Sequence, residues 1–136
     1  MKRVLFYILS FTWGFIMSFI GLIVMAIPFG EYHKFHGRLY KMVGYGWGGV
    51  NLGCFFLCSK DCFEDDELRG HECGHGLQNI IWGPLFPFVI AIPSAIRYWY
   101  FEWCWKHNKP TKDYDAIWFE GQATRWGQKY IVSDRW

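Results

Sequence analysis

The longest uninterrupted apolar pattern in the chain runs over residues 4–29, directly after Lys2 and Arg3 and without a single charged side chain. About 25 such residues are enough for a helix to cross roughly 30 Å of hydrocarbon, so the pattern predicts a transmembrane helix over 4–29. A cleavable signal peptide would carry a shorter apolar stretch ending in small residues. The ending Met25-Ala26-Ile27-Pro28-Phe29 fits that poorly. Gly14, Ser18 and Gly21 recur at near-helical spacing, which would let another helix approach closely. Orientation stays open: Lys2 and Arg3 argue for a cytoplasmic start, whereas Lys34, Arg38 and Lys41 argue the reverse.

Beyond this run the pattern changes several times. Residues 31–41 read as a polar connection containing His33 and His36. Residues 39–58 hold Gly44, Gly46, Gly48, Gly49 and Gly53, too many for a helix. Tyr45, Trp47 and Val50 alternate there with small residues, which predicts a short β element with close backbone approach. An acidic stretch over 59–67 reads as a solvated loop leading into a helix N-terminus, where carboxylates favour the macrodipole. A helix is predicted over 66–82, stopped by Gly83-Pro84. Residues 85–105 are apolar and aromatic but interrupted by Pro87 and Pro93, so they read as a kinked membrane helix or a re-entrant segment. Tyr98, Trp99, Tyr100, Trp103 and Trp105, next to Arg97, resemble an interfacial belt. A last helix is predicted over 114–130. The expected fold is therefore a mainly α membrane protein with a short β element, a single membrane-embedded domain over 1–136.

Composition supports that class. In 136 residues, aromatics make up 22% and charged residues only 19%, with nine Trp. So many amphipathic rings suit a bilayer interface better than a small soluble core. The formal charge of +2 and the scattered basic residues show no nucleic-acid patch. Cys54, Cys58 and Cys62 recur every four residues, with Cys73 and Cys104 elsewhere. That spacing matches no common zinc pattern, so the thiols read as apolar filler in a reducing compartment.

The chemistry lies in His71-Glu72-Cys73-Gly74-His75. On a helix, residues four apart share one face, so both imidazoles can reach a single Zn2+. Glu72, one position on, is placed to act as general base toward the attacking water. Gly74 and Gly76 flank His75 and suggest that backbone or substrate passes close by. Catalytic zinc takes three protein ligands. Glu120 is the best candidate for the third: it sits on a predicted helix in apolar surroundings, where an unpaired carboxylate is costly. His107, His33, His36, Asp113 and Asp115 are alternatives. Gln78, three residues after His75, is a candidate to orient His75 or Glu120. Arg97, Tyr114 and Arg125 are candidate oxyanion donors.

At these residues the chain resembles the gluzincin metallopeptidases, in which HExxH lies on one helix and a glutamate on a later helix completes the site. Glu120-Gly121-Gln122-Ala123 resembles the first part of the ExxAD signature of membrane-bound, prenyl-protein-type gluzincins, with Thr124 where that signature has Asp. Residues 77–94 also resemble small bacterial membrane proteins that carry HExGH motifs. The resemblance implies a zincin-like helix pair, Zn2+ as cofactor, a peptide or protein substrate, and a place in the bacterial inner (cytoplasmic) membrane.

Topology adds a constraint. If residues 85–105 crossed the bilayer, Glu120 would end on the far side from the start of the His71 helix. A shared site needs that segment to double back, which Pro84, Pro87 and Pro93 favour. The expected function is a membrane-bound zinc metallopeptidase. The alternative is a non-catalytic membrane protein using the same cluster as a structural or sensory metal site, which a fourth ligand such as Cys73 or His107 would favour.

Overall fold

The computed structural model describes residues 1–133, a mainly helical chain with a small four-stranded sheet. The apolar run over 4–29 forms two helices rather than the expected one. These are α1 (Lys2–Thr12) and α2 (Phe15–Ala26), bent by 97° at the break. The break has a tertiary cause. Asn79 donates from Nδ2 to the Gly14 carbonyl at 3.0 Å, and the Trp13 indole lies against Gly83, where a Cβ would come within 2.3 Å of the ring. No single helix among the described residues is long and apolar enough to cross a membrane.

α2 ends on Lys41, a fully buried side chain whose Nζ donates to the carbonyls of Val24 and Ile27 at 3.0 and 2.6 Å. Those orphan carbonyls are where a cation is most favourable. Residues 31–41 form a hairpin instead of the expected loop: β1 (Glu31–Phe35) and β2 (Arg38–Met42) pair antiparallel across His36-Gly37. Both turn residues have positive φ, at 46° and 82°, as a two-residue hairpin turn requires. The second hairpin, β3 (Gly49–Leu52) and β4 (Phe55–Cys58), joins through a parallel β2–β4 pairing. The order is β1-β2-β4-β3, which leaves β3 at an edge. At Gly14, Ser18 and Gly21 other parts of the chain approach closely: Gly14 faces Asn79, Ser18 is covered by Gly53, and Gly21 faces the Leu52 carbonyl and Phe55.

α3 (Asp66–Trp82) is capped by Asp65, whose side chain accepts from the Leu68 amide at 2.9 Å, and stops at Gly83 with φ 55°. A 3-10 turn at Gly83–Leu85 and a π turn at Pro87–Ala91 lead into α4 (Ile92–Lys106). Asp66–Leu85 and Pro87–Lys106 bend by 119°, so the chain doubles back here. After a 3-10 turn at Tyr114–Ala116 comes α5 (Trp118–Trp126), continued as a π turn over Gly127–Val132. α5 crosses α3 closely at Gly74, where a Cβ would sit 1.9 Å from the Ala123 carbonyl oxygen.

Candidate metal centre

α3 is buried continuously from Gly70 to Asn79, so both of its histidines lie inside the fold. The α3–α5 crossing brings Glu120 to them. Glu120 Oε2 lies 3.1 Å from His71 Nε2 and 3.1 Å from His75 Nε2, and the side chain is fully buried. Ligand atoms around a tetrahedral zinc at about 2.0–2.1 Å stand roughly 3.4 Å apart, so the spacing is close to that of a ligand set. These three residues form a buried group that could hold a metal ion.

The hydrogen bonds behind the cluster decide what its atoms offer. Gln78 Nε2 donates to the Phe119 carbonyl at 2.8 Å and to Gln122 Oε1 at 2.9 Å. Its Oε1, 2.7 Å from His75 Nδ1, is therefore an acceptor, and His75 Nδ1 carries the proton. In neutral His75 the Nε2 lone pair then points at a carboxylate oxygen. His71 Nδ1 is paired with Thr124 Oγ1 at 2.8 Å, where the hydroxyl can accept or donate. Acceptors converging on one point in a buried site call for a proton or a cation between them, so the donor set fits a divalent metal.

Burial works against the Glu120 charge, but the hydrogen bonds from His71 and His75 outweigh it and hold its carboxyl well below the usual carboxylate range. Burial pushes Glu72 the other way, upward, with His71 and His75 opposing. Glu72 Oε2 has no hydrogen-bond partner among the described residues. Its carboxylate lies against Gly49 of β3, where an added Cβ would come within 2.8 Å of Oε1. Asn51, also on β3, donates to the Glu72 carbonyl at 2.8 Å and so ties the sheet edge to α3.

Two cavities meet at Glu72. One of about 330 Å³ includes Gly48, Gly49, His71, Glu72, Tyr114 and Thr124 in its wall. The other, about 450 Å³, is bounded by β3 on one side and by Phe86, Ile90, Ala95 and Trp99 on the other, and reaches His71, Glu72 and His75. Tyr114 lines both, and its hydroxyl donates to Glu120 Oε1 at 3.2 Å. Burial, and then the Glu120 charge, push the Tyr114 phenol upward.

Asp115 lines the smaller cavity but is not among the ligand atoms, and the other remaining candidates lie elsewhere. Arg97 donates to the carbonyls of Lys112 and Asp113 at 2.9 and 2.8 Å, so it positions the segment leading to Tyr114 rather than facing the cavity. Arg125 is exposed on α5 and lines neither cavity. His33 is in β1, His36 in the hairpin turn, and exposed His107 stacks on Trp103. Cys73 is buried but is not among the ligand atoms. Gly49 and Asn51 are site residues that sequence reasoning missed. The only signal was the glycine-rich strand, which implied close backbone approach without saying to what.

No protein-family model matches the chain, and neither a curated protein nor a solved structure matches it. The functional reading therefore stands on this geometry.

Proposed function

We infer that the protein is a zinc metallopeptidase of gluzincin type, with His71, His75 and Glu120 holding the ion and Glu72 acting as base. The observation that carries this is a buried carboxylate, Glu72, whose Oε2 has no hydrogen-bond partner among the described residues, beside a three-ligand cluster at the junction of two cavities. Structural zinc sites are closed by four protein ligands, whereas catalytic sites keep a position open. Neither Cys73 nor His107 joins the cluster, which favours catalysis over a purely structural or sensory site.

Bound there, zinc would supply Lewis acidity and lower the pKa of water toward about 7. Glu72 takes the proton from the attacking water on its carboxylate and returns it to the leaving amine. Its raised pKa suits both halves of that task. The Tyr114 hydroxyl, released from Glu120, donates to the developing oxyanion. Thr124 and Gln78 fix the imidazoles. The peptide preference rests on β3: an edge strand lining the cavity offers backbone groups to an extended chain.

The test is bound-metal stoichiometry of the purified protein, with cleavage of a fluorogenic peptide library as the second readout. The parent and Glu72→Gln should each hold about one ion, whereas His75→Ala and Glu120→Ala should lose it. Only the parent should cleave peptides. Metal bound without cleavage by the parent would favour the non-catalytic metal-site reading. No metal in the parent would overturn both.

A further inference from the structure

Three helices turn an apolar face outward. On α4 the exposed positions Ile92, Ile96, Trp99 and Trp103 follow helical spacing, with Ile96 58% and Trp99 67% accessible. α4 packs chiefly against the π turn before it and the 3-10 turn at Tyr114–Ala116, which leaves this stripe exposed among the described residues. On α1 and α2 the exposed set includes Ile8, Phe19 and Ile23, the last 64% accessible. A water-facing helix should be polar on that side. Here most of these exposed side chains come from two runs without Asp, Glu, Lys or Arg, residues 4–30 and 73–96, with Trp99 and Trp103 just beyond the second.

The two bends meet. Trp13-Gly14, at the α1–α2 elbow, is locked to Asn79 and Gly83, at the α3–α4 elbow, by the Asn79–Gly14 hydrogen bond and the Trp13–Gly83 contact. Around this junction Trp13, Phe15, Ile81, Leu85 and Phe88 are exposed, Phe88 to 67%. The second run is followed by exposed Lys106, Lys109 and Lys112, a basic border suited to anionic headgroups.

We propose that the paired elbows insert as one wedge into a single leaflet of a lipid bilayer, with both ends of each elbow and the metal cluster on the same side. Length decides between insertion and crossing. α1 with 11 residues and α2 with 12 are each about 16–18 Å long, against roughly 30 Å of hydrocarbon. Bent by 97°, the two lengths do not add. The elbow between α3 and α4 keeps His71 and Glu120 in contact, which a crossing of residues 85–105 would separate. Ile92 and Trp99 belong both to the exposed stripe and to the larger cavity, which sets the site at the lipid boundary. The insertion does not depend on the site holding a metal.

The test uses the full chain, purified in detergent and diluted onto preformed vesicles of phosphatidylcholine with and without phosphatidylglycerol. Flotation with vesicles is expected, stronger with the anionic lipid, and brominated lipids should quench Trp fluorescence most at shallow-to-middle depth in one leaflet. Phe88→Glu combined with Ile96→Glu should lower partitioning at least tenfold while the circular dichroism spectrum is retained. Cysteines placed at Lys34 and Lys109 in a Cys62→Ser background should both react with a membrane-impermeant maleimide added outside. Protection of one of the two positions would show a crossing and overturn the proposal. So would a soluble protein that ignores vesicles, or a discrete dimer broken by the Phe88/Ile96 variant.

Discussion

Gln78 Oε1 accepts from His75 Nδ1 at 2.7 Å, and this contact decides which nitrogen of the histidine faces Glu120. Gln78 is fully buried and both its amide hydrogens are committed, so its orientation is not free to change. Gln78→Ala leaves the ring free to rotate and to adopt the wrong tautomer. Loss of such an orienting partner costs roughly 10- to 100-fold in metal affinity. Zinc competition against a chromogenic chelator should show that drop with the stoichiometry still near one. An unchanged affinity would mean that His75 is held by packing alone. Thr124→Asp should keep tight binding, since a carboxylate accepts from His71 Nδ1 at least as well as a hydroxyl does.

The placing of Glu120 depends on a contact with no chemistry of its own. Gly74 faces the Ala123 main chain so closely that a methyl group cannot fit without moving α5. Gly74→Ala should destabilise the fold by about 1–3 kcal/mol, near the top of that range because backbone rather than a flexible side chain must yield. Metal affinity should fall with stability, because Glu120 sits one turn before Ala123. Thermal unfolding with and without zinc measures both. A variant with parental Tm and affinity would show that the crossing is softer than its geometry.

Such contacts mark where sequence reasoning stopped. The His71 helix is legible because Asp65, the first-turn carboxylates and Gly83-Pro84 are local signals, and because i,i+4 spacing places His71 and His75 without tertiary information. Glu120 stands out as a carboxylate among Trp118, Phe119 and Ala123. The α1–α2 break is not legible: an uncharged run whose only glycines are Gly14 and Gly21 reads as a single helix, and the groups that break it, Asn79 and Gly83, come from far along the chain. β1 is missed for a different reason. Its side chains are mostly exposed and polar, so it has no apolar alternation, and its turn uses a histidine at positive φ.

Tyr114 is the donor candidate that reaches the site, whereas Arg97 and Arg125 do not. Tyr114→Phe keeps the ring that packs against Phe101 and removes only the hydroxyl. Loss of one oxyanion donor costs roughly 100- to 1,000-fold in kcat. The expected pattern is a fall in kcat with little change in KM and full metal content. A rise in KM at constant kcat would instead place Tyr114 in substrate binding.

All five cysteines are free, and four of them are buried. Burial pushes the Cys54 thiol up to about 11 and the Cys58 and Cys73 thiols to about 12. At pH 8 the thiolate fraction of a pKa-12 thiol is on the order of 10⁻⁴, and the thiolate is the reactive form. Iodoacetamide should therefore modify Cys62, the one partly exposed thiol, well before the others, and all five only after denaturation. Mass spectrometry of time points gives the order. Fast modification of Cys58 or Cys73 in the folded protein would show that the sheet core opens.

The metal-free protein should have a stability maximum bounded on both sides by the same cluster. Glu120 is depressed in the fold, so its contribution is present above the unfolded carboxylate value of about 4.3 and is lost as pH falls toward the folded value. For His71, burial lowers the pKa, but the Glu120 hydrogen bond and the Glu72 and Glu120 charges outweigh it and raise the net value. That contribution is complete below about 6.5 and is lost as pH rises through the raised folded value. Chelator-treated protein should therefore have its highest Tm at mildly acidic pH, with Tm falling on both sides. Glu120→Gln should flatten both limbs. Added zinc should move the maximum upward, because metal and protons compete for the same imidazoles. A Tm that rises steadily through pH 8 without metal would show that the His71–Glu120 pair contributes nothing to the fold.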